Sequence, residues 1–183
     1  MSEKKSFKEF FLPIIVLVAI CVVIAALMAA VNLITAPKIE DVQKQKEAEA
    51  LAVVLPENQG FEQLTVSNAP ESVVGVYKDN GSACMAVMLS VKGYDSSKPM
   101  SVAVGFGEDG KITKCSVISC LGETKGIGTR VSNEDFLSSF NGKEDVSSVD
   151  SISGATISSS AFKAAVADAC KVVMEYRATE VAK

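Results

Sequence analysis

Asp150-Ser-Ile-Ser153-Gly154-Ala155-Thr156-Ile-Ser158-Ser-Ser160, followed by Ala161-Phe162-Lys163-Ala164-Ala165-Val166, joins a loop of small residues to the start of a helix. Beyond it Phe162, Ala165, Val166, Ala169, Val173 and Tyr176 recur at three- and four-residue spacing, as one apolar helix face does. Ser158, Ser159 and Ser160 are the expected N-caps. Gly154 and Ala155 leave the backbone uncovered just before the helix, and Thr156 places a hydroxyl there. A helix N-terminus carries unpaired N–H groups and the positive end of the dipole, so it suits a phosphate. Thr156 is therefore well placed to carry a phosphate ester.

The string Asp150-x-x-Ser153-Gly154-Ala155-Thr156-x-Ser158 resembles the flavinylation motif of the FMN-binding domain family. Average residue usage puts a chance match at roughly one in a thousand chains of this length or fewer. In that family a flavin transferase links FMN to the motif threonine through a phosphoester bond. The resemblance implies covalent FMN on Thr156, with Ser153, Gly154, Ala155 and Ser158 around it; Asp150 and Ser153 read as recognition elements for the transferase or as loop ties. The family includes the G subunit of the Rnf ferredoxin:NAD oxidoreductase complex and the C subunit of a sodium-translocating quinone reductase. Size and a single apolar span resemble the former more closely.

Outward from the motif, Gly122-Glu123-Thr124-Lys125-Gly126-Ile127-Gly128-Thr129-Arg130 reads on its own as a glycine-rich loop. In the family, a Glu-Thr-Pro-Gly-Leu-Gly stretch about thirty residues before the threonine packs against the isoalloxazine. The resemblance thus implies flavin contact for Glu123, Thr124, Lys125, Gly126, Ile127 and Gly128. Here Lys125 stands for the proline, Ile127 for the leucine and Leu121 for a frequent histidine. Glycines let N–H groups approach a flat ring closely, and Thr124 can donate or accept. Lys125 reads either as a cation favouring reduced, anionic flavin or as a solvated loop lysine.

Between residues 71 and 119 the pattern is that of strands: 73–77, a Lys-Asp-Asn-Gly81 turn, 83–91, a loop at 92–99, alternation over 100–106, a Gly107-Glu-Asp-Gly110 turn, and 112–119. Met100, Val102, Val104 and Phe106 alternate with Ser101, Ala103 and Gly105, the periodicity of a half-buried strand. Phe136, Leu137 and Phe140 read as core. The expected class is α+β, an antiparallel sheet flanked by helices, behind one N-terminal transmembrane helix.

Residues 10–37 hold no charged side chain. About 20 apolar residues span a bilayer core, and a cleaved leader's apolar core is usually only 7–15, so a retained anchor is expected. The organisation expected is a cytoplasmic tail (1–9), an anchor (10–36) ended by Pro37, a juxtamembrane helix (37–56) whose Leu51, Val54 and Leu55 dock on the domain, and an extracytoplasmic FMN-binding domain (57–183). The lysine bias across the span is slight; the short N-terminal tail and the resemblance both put the N-terminus in the cytoplasm. The span has no ionisable group and offers no ion relay.

Among the 183 residues there is no histidine, which excludes a Ser-His-Asp triad, a Cys-His pair and a His-ligated metal. A net charge of −4 gives no footprint for nucleic acid. The five cysteines form no CxxC pair. Cys115 and Cys120 fall on opposite strand faces, while Cys84 on a neighbouring strand could partner one of them. No acid/base pair is poised for a substrate. The resemblance implies an electron-transfer subunit, without a complete active site of its own, working with other membrane subunits of an Rnf complex. A stand-alone flavinylated carrier and a flavin-free anchored binding domain stay open as alternatives.

Overall fold

A computed structural model describes residues 3–56, 59–66 and 69–181. The chain divides into two compact units, residues 1–45 and 46–183. Helix α1, Glu3–Val54, makes up the first and enters the second. Every side chain from 11 to 39 is exposed, apolar ones included. A helix that is apolar all round is suited to a membrane span or to burial within a larger protein. Among the described residues it is the one helix long and apolar enough to cross a membrane. Pro37 does not divide it into an anchor and a second helix, as the sequence suggested; both Pro13 and Pro37 lie within α1. A proline forfeits one N–H, and the rest of the ladder carries the helix past it.

The second unit is a five-stranded antiparallel meander, β1 (Phe61–Leu64), β2 (Val73–Asp79), β3 (Met85–Val91), β4 (Met100–Phe106) and β5 (Ile112–Ser119), in sheet order β1-β2-β3-β4-β5. β1 was not foreseen: four residues on an edge are too few to show a period. A 3-10 turn (Gly128–Ser132), a short helix α2 (Glu134–Ser138) and α3 (Thr156–Val181) complete the chain.

One sheet face, carrying Val87, Leu89, Val102, Val104, Phe106 and Cys115, packs beneath Phe162, Val166, Ala169 and Val173 of α3. Phe136, Phe140 and Phe162 meet ring to ring at 5.2–5.5 Å, tying α2 to α3; each such pair adds about 0.5–1.5 kcal/mol beyond its buried area. The β4 alternation is not half-buried as expected. The last turns of α1 cover the other face, with Ala50, Leu51, Val54 and Leu55 against Ala86, Met88 and Ala103. A Cβ on Gly105 would lie 2.5 Å from the Val54 carbonyl oxygen, so only glycine lets the helix end settle there. The Thr113 hydroxyl donates to that carbonyl at 3.2 Å, satisfying an acceptor that the helix end leaves open.

All five cysteines are free thiols. Cys84 does not neighbour the β5 cysteines, because β4 runs between β3 and β5. Two strand spacings, about 9.6 Å, exceed the reach of a disulfide.

Candidate functional site

Helix α3 starts at Thr156, earlier than the serines expected to cap it. The Ser159 N–H donates to the Ala155 carbonyl at 2.9 Å, which makes Ala155 the cap position. No other backbone hydrogen bond at the start of α3 precedes it, so the N–H groups of Thr156, Ile157 and Ser158 point out of the helix end. Ala155 is buried, whereas Thr156 is exposed. The serines act inside the first turn instead. Ser159 donates to the Ala155 carbonyl and accepts from the Ile152 N–H at 3.1 Å, folding the approach loop onto the helix. Gly154 takes φ +81°, in the left-handed region, and a Cβ there would meet nothing within 4 Å. The backbone beside Thr156 is therefore uncovered.

Ser158 is buried and donates its hydroxyl to Glu123 Oε2. Glu123 is itself only 7% exposed, and its Oε1 accepts the Tyr94 N–H at 3.0 Å. One carboxylate thus gathers three segments: the 92–99 loop, the 122–128 loop and the first turn of α3. The space it fills exists because two neighbours are glycines. A Cβ on Gly93 would stand 1.9 Å from Oε1, and one on Gly128 2.3 Å from Oε2. Gly128 therefore serves the carboxylate, while Gly126, at φ +76° and exposed, shapes the loop crest. Thr124 closes that loop through its carbonyl, which accepts the N–H groups of Ile127 and Thr129, each at 3.2 Å. Lys125 is exposed at the crest.

Four apolar side chains on these same segments are left in solvent: Tyr94 (67% exposed), Leu121 (85%), Ile127 (49%) and Ile157 (62%). Apolar surface exposed on and beside these segments, together with a helix N-terminus, suits both parts of a flavin mononucleotide, a flat ring and a phosphate.

Sequence reasoning linked the two motifs only by resemblance; their physical connection through Glu123 and Ser158 was not foreseen. It also missed Tyr94, Gly93 and Arg130. Only Gly93 carried a signal, a glycine beside an aromatic in a loop. Arg130 Nη1 donates to the Ser153 carbonyl at 3.1 Å, in the motif itself. Asp150 is exposed and lies with Ser153 and Arg130 on a cleft of about 420 Å³. Ser153 meets Arg130 through its backbone.

The FMN-binding domain family matches residues 93–171, which hold all of this constellation, and an RnfG N-terminal region matches residues 15–54. A curated relative is the G subunit of the proton-translocating ferredoxin:NAD(+) oxidoreductase complex of Clostridium ljungdahlii, 26% identical over 167 residues. The match covers 85% of this chain and 87% of the relative.

Proposed function

The chain belongs to the FMN-binding domain family, and on that premise we propose that it is a membrane-anchored electron-relay subunit of an Rnf-type complex, with FMN held covalently on Thr156 through a phosphoester bond. Thr156 carries the reading. It stands exposed as the first residue of α3, with three outward N–H groups at its back and an uncovered glycine before it.

The residues present fit the group. The helix N-terminus meets the phosphate with N–H donors and a positive dipole end. Tyr94, Leu121, Ile127 and Ile157 supply the apolar surface that a flavin ring covers. Glu123 holds the ring-contact loop and the tether helix in one register through its two hydrogen bonds. FMN supplies the redox chemistry when bound; the chain supplies position and electrostatics. A tether at the phosphate leaves the ring free and keeps it at high effective concentration outside the cytoplasm. Lys125, exposed at the loop crest, brings a positive charge that would favour added electrons. Asp150, exposed six residues before the threonine, is where a flavin transferase would engage.

The partner subunits are read from the relative in Clostridium ljungdahlii, whose name places it in a ferredoxin:NAD(+) oxidoreductase complex. With α1 in the bilayer, a short cytoplasmic N-terminus leaves residues 57–183 on the outer side, where those subunits would pass electrons through it.

Intact mass and in-gel flavin fluorescence test the attachment, using the full chain and Thr156→Ala, each co-expressed with a flavin transferase. Added mass of one FMN less water, absent from the variant, is the expected result. Flavin that leaves on denaturation would overturn the covalent bond while keeping FMN binding. A colourless, unmodified wild type would overturn both.

A further inference from the structure

We infer that Arg130 is the residue that grips the phosphodiester of the flavin on Thr156 and holds the tether loop in its loaded shape. The inference rests on the reading that Thr156 is the attachment point.

Loading places a negative phosphodiester at a motif whose one charged residue up to Ser160 is Asp150, another negative charge. The three outward N–H groups of α3 offset part of this, and a cation held at the motif would offset more. Lys92 and Lys98 belong to the 92–99 loop, and four cations lie on or beside the 122–130 loop and the stretch around the motif. Lys143 donates to the Ser148 hydroxyl at 2.8 Å, and Lys163 donates to the Val149 carbonyl, so both are engaged in the lead-in to the motif. Lys125 is exposed on the ring-contact loop. Arg130 alone is fixed to the motif, through the Ser153 carbonyl three residues before Thr156.

Its backbone is fixed as well. Arg130 lies in the 3-10 turn, its N–H donating to the Ile127 carbonyl and its carbonyl accepting the Asn133 N–H, each at 3.1 Å. The turn begins at Gly128, pressed under the Glu123 carboxylate. A guanidinium has five N–H donors in a rigid fork, and Ser153 engages Nη1 alone. The remainder can meet two phosphate oxygens side by side, which a lysine ammonium cannot do in fixed geometry. The residue also borders the open 420 Å³ cleft beside Ser153, so its side chain is not packed in on that side.

The difficulty in testing this is that Arg130 also braces the empty loop. Arg130→Gln removes the charge and shortens the side chain, so the two roles are separated by comparing loaded with unloaded protein within each variant: bracing lost in Arg130→Gln is lost from both states. Hydrogen exchange, read by mass spectrometry on the full chain in detergent, reports peptides spanning residues 151–160 with and without flavin. Loaded and unloaded populations are distinguished by intact mass. In wild type, loading is expected to slow exchange of this segment, and that slowing should be about threefold to tenfold larger than in Arg130→Gln. The difference should shrink as salt rises from about 0.05 to about 0.5 M, because an exposed ion pair is screened. Arg130→Lys should recover only part of it.

Equal, salt-independent slowing in wild type and Arg130→Gln would overturn the role of Arg130 and leave flavin on Thr156 intact. A wild type that takes no flavin would instead overturn the attachment on which the inference stands.

Discussion

Replacing Glu123 with alanine takes away the one group that joins the 92–99 loop, the 122–128 loop and α3. The carboxylate accepts the Tyr94 N–H at 3.0 Å and the buried Ser158 hydroxyl. A hydrogen bond to a charged group contributes about 1.5–3 kcal/mol. Part of the loss is recovered, since the Ser158 hydroxyl can turn to the carbonyl four residues back and the cost of burying a carboxylate disappears. A net destabilisation of about 2–4 kcal/mol follows. At roughly 2–4 °C per kcal/mol for a chain of this size, Tm should fall by about 5–15 °C. Glu123→Gln keeps the shape: its oxygen can stay with Tyr94 while its amide turns to the Ser158 oxygen as donor. It should cost about 1 kcal/mol or less. Scanning calorimetry of the full chain in detergent measures both. Gly128→Ala adds a second arm, because its Cβ would fall 2.3 Å from Oε2. That substitution should be severe in wild type and mild beside Glu123→Ala. Alanine and glutamine variants melting within about 1 °C of each other, or strictly additive effects of Glu123→Ala and Gly128→Ala, would refute the three-way anchor.

Gly105→Ala should lift the end of α1 from the sheet, because its Cβ would meet the Val54 carbonyl at 2.5 Å and the Thr113 hydroxyl at 2.7 Å; overpacking of this kind costs about 1–3 kcal/mol, and limited proteolysis near residues 55–60 reports it. Burial pushes the Cys170 thiol up to about 11 and the Cys115 thiol higher still, so iodoacetamide at about pH 8 should label Cys84 and Cys120 well before these two. Equal labelling of all four would contradict the burial of Cys115 and Cys170 in the core between the sheet and α3. The Ser82 hydroxyl first, and the Gln59 N–H after it, hold the Asp79 carboxyl below its ordinary value. A depressed folded value means this contribution is complete above about pH 4, near the unfolded value, and is lost as pH falls through the folded one. Acid titrations of wild type and Asp79→Asn should therefore converge at low pH; parallel curves would refute the role.

The elements that periodicity marked are there because periodicity records burial. Phe162, Val166 and Val173 repeat at helical spacing on the buried face of α3, and Val102 and Val104 alternate onto the sheet face they meet. What could not be read arises from contacts between distant segments. Nothing within 100–106 announces that residues 50–55 cover its second face, since that depends on where another helix ends. The continuation of α1 through Pro37 likewise defeats a local rule that allows a proline only at helix edges. At the site, Thr156 and its small neighbours were legible from the motif. Arg130, Tyr94 and the joining role of Glu123 were not, because each depends on a partner 23, 29 or 35 residues away.

The meander has a bearing on how the chain is made. Each strand pairs only with its neighbours in sequence, so a chain delivered from its N-terminal end can zip the sheet as it arrives, closing short loops only. The lid comes last. Val87, Leu89, Val102 and Val104 stay open to water, or to a chaperone, until α3 has followed. Near the end of that helix Arg177 reaches back to the carbonyls of Ala83, Gly107 and Glu108, clasping the turns before β3 and after β4 at once. A chain broken off before residue 177 would have a complete sheet and a threonine in place, yet its two hairpin ends would be unfastened. The domain is fastened, in effect, by a latch in the last turns of α3.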